Sequence, residues 1–186
     1  MKPLPQTTWL SLTSLSVLVL ATGGFLTGCQ TSAPLPASVP GPVPEEIRVQ
    51  VTPGFTNNIA LVQAIRGSGT AEVWNGRWEP LEKGMRLSPG ANVRTVGDTT
   101  VDLFLRQNGP VVRLTPNTFL VIEQLEYKGA PGQEIIHTRL NVKQGRILGA
   151  TKKLDPESVY EVKTPKGLVG VRDGYDVDKS GKVQVK

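Results

Sequence analysis

Cysteine occurs once in this 186-residue chain, and so does histidine. A single thiol excludes the paired disulfides that staple small secreted folds. Aromatic residues make up only 5% of the chain. There is no basic stripe: the net charge of +5 falls to +4 over residues 29–186, where 20 basic side chains stand among 16 acidic ones. A balance this mild suits a solvated surface near an anionic membrane or polymer and argues against nucleic acid as a partner. Helical periodicity is also missing, since no window sustains apolar residues at i, i+3, i+4 and i+7. What the chain has in quantity is glycine (20) and proline (15), nearly a fifth of its residues. That much punctuation favours many short elements joined by tight turns, and the length suits one domain.

The lone cysteine has an informative setting. Lys2 is the only charged residue before it, and the stretch Trp9 to Phe25 is uncharged and rich in leucine and valine. Positive start, apolar core and small residues at a cut is the order of a signal peptide, and the run is short for a bilayer span. Leu26-Thr27-Gly28-Cys29 resembles the lipobox of bacterial lipoproteins. The resemblance implies cleavage between Gly28 and Cys29 and lipidation of the Cys29 thiol, with a diacylglycerol thioether and usually a further acyl chain. Several chains anchor firmly where one holds weakly. Gln30 stands where an aspartate would favour inner-membrane retention in that class, so the expected location is the outer membrane, facing the periplasm. Residues 1–28 are thus read as a leader.

Residues 29–46 carry Pro34, Pro36, Pro40, Pro42 and Pro44 among serine, alanine and glycine. Such a segment buries too little apolar surface to offset its chain entropy and reads as an extended tether reaching at most about 50 Å. From Ile47 the pattern turns to period two, and residues 47–186 read as one all-β domain, a sandwich or roll with β-helix-like coiling as the alternative. Expected strands are 59–65, 70–74, 101–106, 111–114, 119–125, 135–142, 146–150, 159–164 and 168–171. Val101, Leu103 and Leu105 share one face, with Asp102, Phe104 and Arg106 on the other. Asn75-Gly76 marks a hairpin turn that resumes at Trp78.

An ordered series of short motifs runs through this part. Gly69-Thr70-Ala71-Glu72-Val73 leads to Leu81-Glu82-Lys83-Gly84-Met85-Arg86-Leu87 and Val93-Arg94-Thr95. Leu114-Thr115-Pro116-Asn117-Thr118, Gln144-Gly145-Arg146-Ile147, Val162-Lys163-Thr164-Pro165 and Gly170-Val171-Arg172 follow. The series, over roughly residues 59–178, resembles the FecR domain. Turn glycines and prolines between short strands encode a fold rather than a catalytic site. Members of that family named for ferric-citrate regulation carry a cytoplasmic anti-sigma segment and a membrane helix, and relay a transporter's state to a sigma factor. The chain departs from them: it has Arg172-Asp173-Gly174 where the family has Arg-Gly-Thr, and cleavage at Cys29 leaves nothing on the cytoplasmic side to pass a signal inward.

Candidate chemistry is sparse. His137 sits mid-strand between Ile136 and Thr138 with no triad partners in view, and reads as a solvated strand residue. Asp176 to Gly181 partly matches a calcium loop, but it reads better as a β-turn in a hairpin joining 175–177 to 183–185. Gly67-Ser68-Gly69 precedes no helix and is no nucleotide loop. Asp98 and Asp102 have no evident carboxylate partner for acid–base work. Trp74 and Trp78 flank a turn, where they either pack across the hairpin or offer a sugar-stacking platform. The expectation is therefore no catalytic residue, no metal and no cofactor. The leading reading is an envelope lipoprotein that binds or scaffolds a protein or surface polymer. Sensing in an iron-uptake system, and carbohydrate or peptidoglycan binding, stand as the alternatives.

Overall fold

Alternating apolar residues with turn signals every few positions can bury one face only by pairing into sheets that stack. A computed structural model describes residues 44, 46–172, 175–178 and 183–185, and there the chain follows this rule. The strands are β1 (Thr56–Asn57), β2 (Ala60–Arg66), β3 (Thr70–Trp74), β4 (Trp78–Pro80), β5 (Arg86–Leu87), β6 (Asn92–Val96), β7 (Thr100–Phe104), β8 (Val112–Leu114), β9 (Phe119–Lys128), β10 (Ile135–Gln144), β11 (Arg146–Gly149), β12 (Val159–Thr164), β13 (Gly167–Gly170), β14 (Tyr175–Asp178) and β15 (Val183–Val185). One 3-10 turn, Arg106–Asn108, lies between β7 and β8.

The strands form two sheets of a sandwich. The first runs β13-β12-β10-β9-β6-β3-β4, with β1 added to β9; the second runs β15-β14-β11-β8-β7-β2-β5. Among these pairings only β10 with β12 is parallel. The core lies between the sheets. Val101, Leu103 and Leu105 turn inward at no more than 1% exposure, while Phe104 faces out at 37%. Each leucine or valine buried this way contributes about 1.5–3 kcal/mol.

A bulge sets the register of the longest pair. Arg139 lies opposite Gln124 and Leu140 opposite Ile122, so Glu123 is the extra residue on β9. It shifts the alternation by one, which lets Ile122 and Leu125, three apart, both reach the core. Gln63 is the extra residue between Val62 and Ala64 on β2.

Boundaries differ from the expected ones where backbone geometry intervenes. The outward strand position expected at Arg106 instead has φ +57° and opens the 3-10 turn. β1 and β5 pair over two residues each, too short for alternation to reveal. The Asn75-Gly76 turn is a three-residue loop through Arg77, with Gly76 at φ +76° and Asn75 N–H donating to Arg77 O at 2.9 Å. β14 and β15 pair antiparallel, as the hairpin reading of residues 175–185 expects.

Polar side chains cross-link the sheets, at two places among others. Tyr160 of the first sheet and Tyr175 of the second share a hydroxyl–hydroxyl hydrogen bond of 2.6 Å. The motif Leu114 to Thr118 forms another. Thr118 Oγ1 donates to Arg146 O and accepts from Arg146 N–H, while Thr118 N–H donates to Thr95 Oγ1. Asn117, at φ +55°, accepts from Gly97 N–H through Oδ1. The motif residues are turn clasps.

Candidate functional site

Gly28 and Cys29, the expected cleavage and lipidation site, lie outside the described residues. Trp74 and Trp78 form a cross-strand pair on β3 and β4. Their rings meet edge-to-face, 5.4 Å apart and inclined at 66°. Trp78 also packs edge-on against Phe119 at 5.8 Å, and the Arg94 guanidinium lies 4.1 Å from its ring centre. Arg94 in turn donates to Glu72. Two rings so inclined, one capped by a cation, clamp a hairpin to the sheet rather than lying flat as a stacking platform.

His137 is less solvated than its sequence suggests. Its side chain is 22% exposed, and its ring stacks on Phe55 with centroids 4.1 Å apart and planes 21° apart. Nδ1 lies 3.9 Å from Oε2 of Glu126, a contact longer than a hydrogen bond. Glu126 is fully buried. A carboxylate there is tolerable only with donors around it. Thr52 N–H supplies one at 3.1 Å and Gln124 Nε2 another at 2.9 Å. The segment before β1 is thus strapped across the outer face of the first sheet, with Lys128 Nζ 5.0 Å from the Phe55 ring. Between this strap and the sheet runs an open groove of about 450 Å³, lined by Arg48, Gln50, Thr52, Glu123 and Arg139 among others.

Beneath Glu126 the 3-10 turn sends Asn108, with no exposed surface, into the end of the sandwich. Its amide N–H groups face Glu126 O (3.0 Å), His137 O (3.0 Å) and Thr138 Oγ1 (2.8 Å). Its carbonyl accepts from Asn58 Nδ2 at 2.7 Å, which also donates to Leu105 O. This network ties the turn after β7 to β9 and β10.

Asp102 has a different arrangement. It points outward from β7 yet is only 7% exposed, because two arginines cover it. Arg113 donates through Nε (2.6 Å) and Nη2 (3.0 Å), and Arg66 through Nη1 (2.6 Å). The Arg113 hydrogen bonds, then those of Arg66, hold the Asp102 carboxyl below its ordinary range, against the opposing effect of burial. Asp98 is held low by Ser68, whose backbone N–H and hydroxyl donate to it. Glu134 is brought down to about 2, first by the hydrogen bond from Lys152 and then by backbone N–H groups. Burial pushes both Tyr160 and Tyr175 above their ordinary value.

Each of these groups is engaged by neighbours that position or neutralise it. Among the described residues no group of three or more histidine, cysteine, aspartate or glutamate side chains gathers to hold a metal ion. Neither is any helix there long and apolar enough to cross a membrane. Sequence reasoning missed the Glu126 and Asn108 networks, because their partners, Gln124 apart, are 18 to 74 residues away. It also missed the arginine pair on Asp102. There a signal existed: Asp102 and Arg113 flank the Asn108-Gly109-Pro110 turn on strands that pair across it. No family model matches the chain, and neither a curated protein nor a solved structure does.

Proposed function

We propose that the protein is a lipid-anchored envelope protein, held at the outer membrane through Cys29 and facing the periplasm, whose FecR-like domain is a non-enzymatic binding or scaffolding module. The observation that carries this reading is Leu26-Thr27-Gly28-Cys29 behind an uncharged apolar run and ahead of a proline-rich segment. The use of the polar side chains supports the second half. His137, Glu126, Asn108, Asp102 and Thr118 are each held in hydrogen-bonded or stacked structural contacts. That leaves the surface of two sheets as the working part.

Metabolic labelling with an acyl-chain probe tests the anchor. Label is expected on the wild-type protein and absent from Cys29→Ala; label that persists in the variant refutes it. Crosslinking in intact cells followed by affinity capture tests the binding role, with a specific envelope partner expected. The motif series favours one second reading, an extracytoplasmic sensor in iron-uptake signalling. A sigma factor and a TonB-dependent receptor encoded beside the gene, with loss of their induction on deletion, support that reading instead.

A further inference from the structure

The charges balance across the first sheet but are divided unevenly between the two halves of the second. The strands of the first sheet carry five acidic and five basic side chains, and several pair across strands, as Arg94 does with Glu72, Arg139 with Glu161 and Lys163 with Glu123. In the half of the second sheet built from β2, β5, β7 and β8, with the turn that follows β7, four arginines stand against one carboxylate, Asp102. Arg86 and Arg106 are exposed, and among the described residues neither makes an ion pair. Arg66 and Arg113 share Asp102 and remain 59% and 48% exposed.

The register places Arg66, Arg86 and Arg113 on one face, and the turn that carries Arg106 follows β7 at its edge. Arg86 pairs with Leu61 and Leu61 with Phe104, which makes a row across β5, β2 and β7. Asp102 and Arg113 form a row alongside it on β7 and β8. Phe104 is an exposed aromatic ring on the same face, opposite Leu61 and two positions from Asp102. The surface is an open sheet face, so it suits an extended ligand rather than an enclosed small molecule. Guanidinium groups favour planar carboxylates, which they can grip through two N–H groups, and an aromatic face between them suits the apolar side of a sugar ring. The chain arriving from the tether lies along the outer side of the first sheet, between Arg48 and Thr52, so the basic face points to the opposite side of the sandwich.

We infer that this face of the second sheet, Leu61 and Phe104 with Arg66, Arg86, Arg106 and Arg113, binds a carboxylate-bearing glycan of the cell wall. The inference rests on the reading of the domain as an envelope binding module and names its ligand class. It also moves polymer binding away from Trp74 and Trp78, whose rings pack against their own sheet.

The test uses full-length protein in mild detergent and isolated peptidoglycan sacculi. Co-sedimentation is expected, weakened by added salt, competed by soluble polygalacturonate and indifferent to neutral dextran. Arg86→Gln with Arg106→Asn, the second chosen because asparagine accepts left-handed backbone, is expected to weaken binding about 25-fold. That is about fivefold per arginine, the upper range for an exposed ion pair. Arg77→Gln on the first sheet leaves binding unchanged. Phe104→Ser provides a second variant should the first fail to fold, and is also expected to weaken binding. The inference is overturned by absence of sedimentation, by equal binding of folded variants, or by competition from phosphatidylglycerol micelles but not polygalacturonate, which makes the face a lipid surface. Because acyl labelling at Cys29 is scored separately, loss of the anchor and loss of the glycan site are distinguishable.

Discussion

Asn108→Ala removes a side chain that is completely enclosed and joins three elements. The lost amide takes one donor from the Glu126 and His137 carbonyls, now at 3.0 Å, and these two residues keep their pairing across the β9–β10 ladder. Thr138 can rotate its hydroxyl, but Asn58 keeps only Leu105 O for its two buried amide N–H groups. Each buried group left unsatisfied costs about 1–3 kcal/mol. One unpaired Asn58 N–H, the lost hydrogen bonds to two carbonyls and a small void therefore give a loss of about 3–5 kcal/mol, a large share of the roughly 5–15 kcal/mol that stabilises a typical domain. Urea unfolding followed by circular dichroism measures it, with an unchanged slope showing that the unfolded state is unaltered. Asn108→Asp keeps the volume but sets a carboxylate against three acceptors, so it is expected to destabilise more than alanine at neutral pH. A loss below about 1 kcal/mol for alanine, the net value of an ordinary solvated hydrogen bond, would refute the claim that this network is sealed from water. So would aspartate tolerated better than alanine. The same experiment reports on the basic face, because the turn that Asn108 anchors also carries Arg106.

Other expectations follow from the polar contacts. A Cβ at Gly149 would sit 2.4 Å from Tyr175 Cζ and 2.5 Å from its hydroxyl, so Gly149→Ala is expected to displace that ring, break the Tyr160–Tyr175 bond and cost about 1–3 kcal/mol as an overpacked core does; an unchanged melting temperature would contradict it. Tyr160 and Tyr175 are both raised by burial, so their stabilising contribution is complete below the unfolded-state pKa of about 10 and is lost at higher pH. Phenolate absorbance during alkaline titration should therefore rise for these two only as the protein unfolds. Asp102 is depressed, so its contribution is present above the unfolded-state value of about 3.9 and fades as pH falls through the lower folded-state value. Asp102→Asn is accordingly expected to be less stable than wild type at neutral pH and to converge with it in strong acid; a constant difference at every pH argues against the arginine clamp.

The parts of the fold legible in the sequence are those set by local rules. Val101, Leu103 and Leu105 alternate with Asp102 and Phe104, and the alternation alone puts the former inside. Asn75-Gly76 makes its turn because glycine tolerates φ +76°. Thr70–Trp74 and Val159–Thr164 are bounded by such signals and fall where alternation puts them. Alternation fails where one residue is added or where distant chain supplies the partner. The extra residue Glu123 exchanges the faces of β9 part-way along, and nothing near it in sequence announces a bulge.

The same distinction runs through the candidate site. A residue's type predicts what it needs, but its partner's identity depends on topology. Glu126 needs donors, and the fold brings them from Thr52, 74 residues earlier. Asp102 reads as a solvated acid on an outward strand position until β2 and β8 bring Arg66 and Arg113 to either side of it. Once that clamp is formed, Asp102 neutralises one arginine and fixes two, leaving an excess of ordered positive charge beside Phe104. An overall charge of +5 gives no hint of this, because the first sheet balances its charges while β2, β5, β7 and β8 of the second carry an excess of arginine. Recognition chemistry on an open sheet face depends on that difference between faces rather than on the total.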